Sequence, residues 1–281
     1  MQIIKQVQEM QKVAEQARSI GLKIGLVPTM GFLHEGHLSL IGLARKEADF
    51  VVVSIFVNPT QFAPGEDYET YPRDLKRDCQ LVQQSGGDVV FAPSPEEMYP
   101  DGYRTFVEVE GITRKLCGAS RPTHFRGVTT VVTKLFCIVR PHIAVFGQKD
   151  AQQAIVIKRL VKDLNFGIKI IVAPTVREPD GLAMSSRNLY LSEQEREDAT
   201  VLYRALQVAK SMVEAGERGS SSIIATMEKM ISAKPTAEID YIAVVDTQKL
   251  EPLEKLSGEV LIALAVRFGR ARLIDNIMLS V

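Results

Sequence analysis

The sequence predicts an α/β protein in which a Rossmann-like open parallel sheet is followed by a smaller α+β unit of helices plus an antiparallel meander. Up to about residue 175, short apolar runs rich in β-branched residues alternate with segments of helical spacing. That grammar gives a parallel sheet with helices on both faces, open because the repeats are too few to close a barrel. Beyond residue 175 two helical segments precede three strand-like runs joined by short connections, the signature of an antiparallel meander. A length of 281 residues, at roughly 150 per domain, makes room for about two domains, placed at 1–175 and 176–281.

Each element follows from its local pattern. Residues 3–18 carry Ile3, Val7, Met10, Val13, Ala14 and Ala17 at three- and four-residue spacing, which predicts an amphipathic helix. Residues 24–28 form an apolar strand closed by Pro28, and Gly31 and Gly36 mark a turn before the helical patch at 38–43. Residues 50–57 read as a strand buried on both faces, ended by Asn58-Pro59. The alternation continues with a helix at 73–85, a strand at 89–92, a buried helix at 127–139, a strand at 143–146, a helix at 151–163 and a strand at 168–172. Residues 93–125 interrupt it with a Pro-, Gly-, Tyr- and Arg-rich insertion, either a functional lid or a surface loop, in which only 105–109 resembles a strand. In the second unit Ser192-Glu193-Gln194-Glu195 fits a capping box opening a helix that runs to Ala215. A helix at 223–231 and strands at 238–245, 260–267 and 271–278 complete it.

Composition narrows the function classes. Lys plus Arg is 34 and Asp plus Glu is 34, for zero formal charge, so no general basic field exists to grip nucleic acid or an anionic membrane. A hydrophobic content of 46% with 24% charged residues is that of a globular protein rather than a disordered one. Cys79, Cys117 and Cys137 are odd in number and form no CxxC pair, which points to a reducing compartment. The polar start Met1-Gln2-Ile3-Ile4-Lys5-Gln6 lacks a signal-peptide core, and the apolar runs are too short to span a bilayer. The expected location is the cytoplasm.

Four clusters carry chemistry. In Met30-Gly31-Phe32-Leu33-His34-Glu35-Gly36-His37 two imidazoles lie three residues apart, between a strand and a helix. That spacing places them on one helical face, at the carboxyl edge of the sheet, where a helix N-terminus also attracts phosphate. A zinc-protease helix would need i, i+4 spacing instead. Gly147-Gln148-Lys149-Asp150 follows a second strand, with Lys149 able to reach a phosphate, Asp150 ribose hydroxyls, and Gln153 one turn further on. Met184-Ser185-Ser186-Arg187 offers two hydroxyls and a guanidinium in a loop led by Gly181. Asn58 and Gln61 follow the central strand as neutral amides suited to hydroxyls and carboxylates. Read singly, incidental surface histidines, a solvated turn and a polar linker remain open alternatives. Read together, the clusters can face one cleft.

The His-x-Gly-His motif with a downstream Ser-Ser-Arg loop resembles the nucleotidyltransferases that include class I aminoacyl-tRNA synthetases. The ordered set adds Phe56-Val57-Asn58-Pro59 with Gln61-Phe62, and His124-Phe125-Arg126-Gly127-Val128, and it resembles the pantoate–β-alanine ligase family along essentially the whole chain. The resemblance implies that ATP activates pantoate as an adenylate, releasing pyrophosphate, and that β-alanine then displaces AMP to give pantothenate. By position, Met30 to His37, Gly147 to Asp150, Val176 and Met184 to Arg187 would surround ATP, with His37, His34, Lys149 and Arg187 catalytic. Gln61 and Gln153 would hold pantoate, and Gln61 would also lie near β-alanine. Magnesium and a homodimer are implied as well; Asp78 is a weak candidate for the metal, which ATP phosphates and water can hold.

The adenylation chemistry matches these residue types. A carboxylate with an intrinsic pKa of about 4 is already ionised, so the first step needs positioning and charge neutralisation rather than a base. His37 is expected to act mainly as a phosphate-binding donor. No base for the β-alanine amine is evident. The rival readings are another nucleotidyltransferase (adenylyl- or cytidylyltransferase) and a non-catalytic nucleotide sensor. The first would want cations where this chain offers Gln61 and Gln153, and the second is disfavoured by the neutral charge balance.

Overall fold

Residues 1–281 are described by a computed structural model. Six strands, β1 (Gln2–Ile4), β2 (Ile24–Thr29), β3 (Phe50–Ile55), β4 (Val89–Phe91), β5 (Ile143–Gly147) and β6 (Lys169–Ala173), pair in the order β1-β4-β3-β2-β5-β6. All five ladders are parallel. From β2 the chain builds outward through β3 and β4 on one side, then returns to add β5 and β6 on the other. The order therefore reverses between β2 and β5, and a crevice opens beyond their carboxyl ends.

Alternation along the strands sorts the side chains into two cores. Val52 and Phe56 point toward α1 (Val7–Ser19), α6 (His124–Val139) and α7 (Ala151–Asp163). Val51 and Val53 point toward α2 (Glu35–Glu47) and α3 (Leu75–Gln84). Helices on both faces remove the sheet from water, which is why its strands read as unbroken apolar runs.

Beyond β6 lie α8 (Glu193–Ala199), α9 (Val201–Glu214) and α10 (Ser220–Ser232), then β7 (Ala237–Asp246), β8 (Glu259–Phe268) and β9 (Ala271–Ser280) as an antiparallel sheet ordered β7-β8-β9. Val260, Ile262, Leu264 and Val266 of β8 pack with α9 and α10, while Leu261 and Ala263 join the core of the parallel sheet. The central strand of the small sheet is thus buried on both sides and joins the two units. No helix is long and apolar enough to cross a membrane.

Three expectations are corrected. The first helix begins at Val7, because Gln2–Ile4 pairs with β4 as the sheet edge and buries Ile4. The 93–125 insertion contains α4 (Pro95–Met98) and α5 (Cys117–Ser120), but 105–109 joins no ladder. It lies along α6 instead, where the Val107 N–H donates to Thr130 Oγ1 and Thr129 Oγ1 donates to the Val107 carbonyl. The helix expected from 192 to 215 is two helices broken at Thr200, whose hydroxyl donates back to the Glu197 carbonyl and competes with the helical ladder. The Ser192–Glu195 capping box forms as expected.

Candidate active site

The turn after β2 is held by atoms from three elements. Thr29 Oγ1 donates to the Ser54 carbonyl at 2.7 Å and accepts from the Gly31 N–H at 3.2 Å. Gly31 has φ +84°, and a Cβ there would meet Ile55 Cγ2 at 2.9 Å and Asp78 Oδ2 at 3.0 Å. Asp78, buried on α3, accepts the Phe32 N–H at 2.7 Å and the Leu33 N–H at 2.8 Å. Its carboxylate is committed to shaping this turn, which corrects its reading as a metal candidate; burial raises its pKa. No group of three or more His, Cys, Asp or Glu side chains converges as a metal cage.

The histidines cap α2 reciprocally. His34 Nδ1 accepts from the Gly36 N–H at 3.2 Å, and His37 Nδ1 accepts from the His34 N–H at 3.3 Å. Both Nδ1 atoms are acceptors, so in the neutral rings both protons sit on Nε2. The rings lie 4.1 Å apart. Burial, then Lys149, pushes His34 down to about 4; burial, then His34 and Lys149, holds His37 well below its ordinary value. The pair is neutral near pH 7 and presents two N–H donors.

At the end of β5, Asn276 of β9 clamps the turn that carries Lys149. Its Nδ2 donates to the Gln148 and Lys149 carbonyls at 3.0 and 2.9 Å, and its Oδ1 accepts from Gln148 Nε2 at 2.8 Å. Lys149 Nζ is 3.9 Å from Asp150 and otherwise faces the cleft. In the third cluster the Val176 carbonyl accepts the Met184 N–H, Ser185 caps the Arg187 N–H, and buried Ser186 meets Tyr71 Oη at 3.1 Å. Arg187 forms a two-pronged pair with Asp67, both contacts at 2.9 Å. Burial lowers its pKa, but Asp67 more than offsets this, so the group stays charged.

Asn58, also buried, is consumed internally. Its Nδ2 donates to Gln61 Oε1 and to the Gly127 carbonyl, each at 3.2 Å, while its Oδ1 accepts from Tyr99 Oη at 2.8 Å. Gln61 therefore turns its Nε2 donor toward Met30 and the cleft.

Met30, His37, Gln61, Lys149, Asp150, Gln153, Ser185 and Arg187 line one cleft, with Phe56, Val128, Val132 and Phe146 as its apolar wall. His34 adjoins through His37. Gly36, Gly147, Gln148, Val176 and Met184 flank that lining; Ser186 is buried behind it, and Glu35 points to solvent. Phe32 lies under Arg77, and Leu33 is fully buried with its N–H taken by Asp78, so it offers the cleft no donor. Residue patterns alone missed Asp67, Tyr99, Arg121 and Asn276, which act through partners distant in sequence. His124 stood in a quoted motif without a role.

The cleft gathers cations, N–H donors and amides beside an apolar wall, and comparison with known proteins gives the chain's family. The family model for pantoate–β-alanine ligase matches residues 2–278. The chain belongs to this family. It is 58% identical over 281 residues to the pantothenate synthetase of Moorella thermoacetica, covering 100% of this chain and 99% of that one. Among solved structures it resembles pantothenate synthetase from Thermus thermophilus, with a TM-score of 0.92, 47% identity and 99% of each chain covered. It also resembles pantoate–β-alanine ligase from Francisella tularensis complexed with β-γ ATP and β-alanine, at TM-score 0.81 and 39% identity, covering 99% of this chain and 97% of that one.

Proposed function

We propose that this chain condenses pantoate with β-alanine at the expense of ATP, forming pantothenate through pantoyl adenylate. The observation that carries the reading is one cleft in which neutral His37, backed by neutral His34, lies with Lys149 and Arg187 among the amides Gln61 and Gln153 beside an apolar wall. In the first step a pantoate carboxylate oxygen bonds to the α-phosphorus, and the bond to pyrophosphate breaks with its electron pair leaving on pyrophosphate. His34 and His37 donate through Nε2 while Lys149 and Arg187 neutralise the leaving charge. Ser185 and the turns at 30–37 and 147–150, with Val176 and Met184, enclose the nucleotide. Gln61 and Gln153 hold the pantoate oxygens, and its paired methyl groups rest on Val128 and Val132. Arg187 must exchange Asp67 for phosphate, so the 62–74 segment shifts as ATP enters.

In this reading residues 1–175 bind nucleotide and pantoate, and 176–281 cover them. Magnesium would ride on the phosphates and neutralise part of their charge. Of the two carboxylates lining the cleft, Asp275 is held by Arg177 at 2.6 Å and Asp150 is free to approach it. Homodimerisation is supported by the 105–109 segment: Thr105, Phe106 and Glu108 have no backbone partner within the chain, and Phe106 is exposed. Three unpaired thiols favour a cytoplasmic location.

The test is purified protein with ATP, magnesium, pantoate and β-alanine, with each acid omitted in turn. Expected are AMP and pantothenate with both acids present, and pyrophosphate–ATP exchange that needs pantoate alone. A stable nucleotide conjugate formed without AMP release would overturn the reading.

A further inference from the structure

The second half-reaction, on the reading above, joins an amine to an acyl carbon, so the nitrogen must lose a proton as the bond forms. His37 Nε2, Gln61 Nε2, Lys149, Arg187 and Arg121 are donors at the cleft, and of its two carboxylates Asp275 is tied to Arg177 while Asp150 lies 3.9 Å from Lys149 Nζ. His124, the first residue of α6, is different. Its Nδ1 lies 2.9 Å from the Gln61 carbonyl oxygen. That oxygen can only accept, so Nδ1 carries the hydrogen and Nε2 keeps its lone pair in the neutral ring. The same carbonyl also accepts from Arg121 Nη2 at 3.3 Å, which fixes its role further. His124 lines the cleft, and no protein group reaches its Nε2.

We infer that His124 is a catalytic residue of the second step, its Nε2 accepting the proton released by the β-alanine nitrogen as the amide bond forms. β-Alanine attacks as the free amine, its ammonium proton having already gone to water. The nitrogen lone pair bonds to the acyl carbon, and the carbon–oxygen bond to AMP breaks with its electron pair leaving on AMP. The nitrogen's proton passes to Nε2, and the imidazolium returns it to solvent. Burial, then Arg121, pushes His124 down to about 4, so its lone pair is available throughout the neutral range. An acylated nitrogen that still carries the extra proton is far more acidic than that. The negative charges of Glu66 and Asp150 oppose part of that downward shift and so favour the transient imidazolium.

The experiment separates the two half-reactions. His124→Asn keeps a donor toward the Gln61 carbonyl but removes the acceptor at the Nε2 position. Single-turnover transfer from bound pantoyl adenylate to β-alanine should fall about 100-fold more than pantoate-dependent pyrophosphate–ATP exchange does. In His124→Ala, added imidazole should restore transfer, and 1,2,4-triazole, similar in size but far less basic, should not. Equal losses in the two half-reactions, or equal rescue by both azoles, would overturn the inference and make His124 a packing residue. Absence of exchange in the unsubstituted protein would instead overturn the ligase reading, and this inference with it.

Discussion

Lys149 tests the electrostatics of the cleft most directly, because its nearest carboxylate, Asp150, is half-exposed and survives its loss without being orphaned. Lys149→Ala should lower the rate of pyrophosphate–ATP exchange roughly 100- to 1,000-fold, by analogy with loss of one preorganised donor to developing charge. Arg187→Ala is a less clean probe, since it also strips Asp67 of both its contacts. The histidines make a separate prediction about stability. His34 and His124 titrate at about 4 in the fold against an ordinary value of 6.5, with burial as the first cause. The unfolded chain therefore binds protons more readily between those values. The stability their neutral forms permit is complete above about pH 6.5 and is lost as pH falls toward 4. Melting followed by circular dichroism should show Tm falling between pH 7 and 4.5, with a shallower fall in His124→Asn than in the parent protein.

Elements were read most reliably where burial governs them. The apolar runs of β3 and β5 are unbroken because helices cover both sheet faces, so pattern and fold carry the same information there. The reading failed where a side chain or a distant strand intervened. Residues 2–4 look like the start of α1 until β4 offers them a ladder, and Thr200 divides a helix whose spacing continues through it. Residues 105–109 have strand-like composition but join no ladder: Val107 is bonded by Thr129 and Thr130 of α6, while Thr105, Phe106 and Glu108 have no backbone partner within the chain. Pairing with the same segment of a second copy would satisfy those groups. Glu108→Pro removes one backbone donor from the segment and, if the proposed homodimer pairs here, should leave a monomer–dimer mixture at micromolar concentration, measured by sedimentation equilibrium.

At the scale of the molecule, the small sheet braces the candidate site. Asn276 of β9 makes all three of its side-chain hydrogen bonds to the turn bearing Lys149. Asn276→Ala leaves the Gln148 and Lys149 carbonyls without those donors, a loss of about 1–3 kcal/mol. If part of that appears in substrate binding, the KM for ATP should rise roughly tenfold, since about 1.4 kcal/mol is a tenfold change. Pyrophosphate–ATP exchange at varied ATP measures it, and an unchanged KM would confine Asn276 to stability.

The sequence by itself determined the α/β class and the strand-borne turns and nominated His34, His37, Lys149, Arg187, Gln61 and Gln153 as site candidates, because motif spacing and hydrophobic period are local properties. Only the tertiary structure decided which atoms those residues present. The proton positions on His34, His37 and His124, the amide orientation of Gln61, and the commitments of Asp78 and Asn58 all depend on hydrogen-bond partners. Several of those partners come from distant elements, and the sheet order that brings them together is not written in any single stretch of chain.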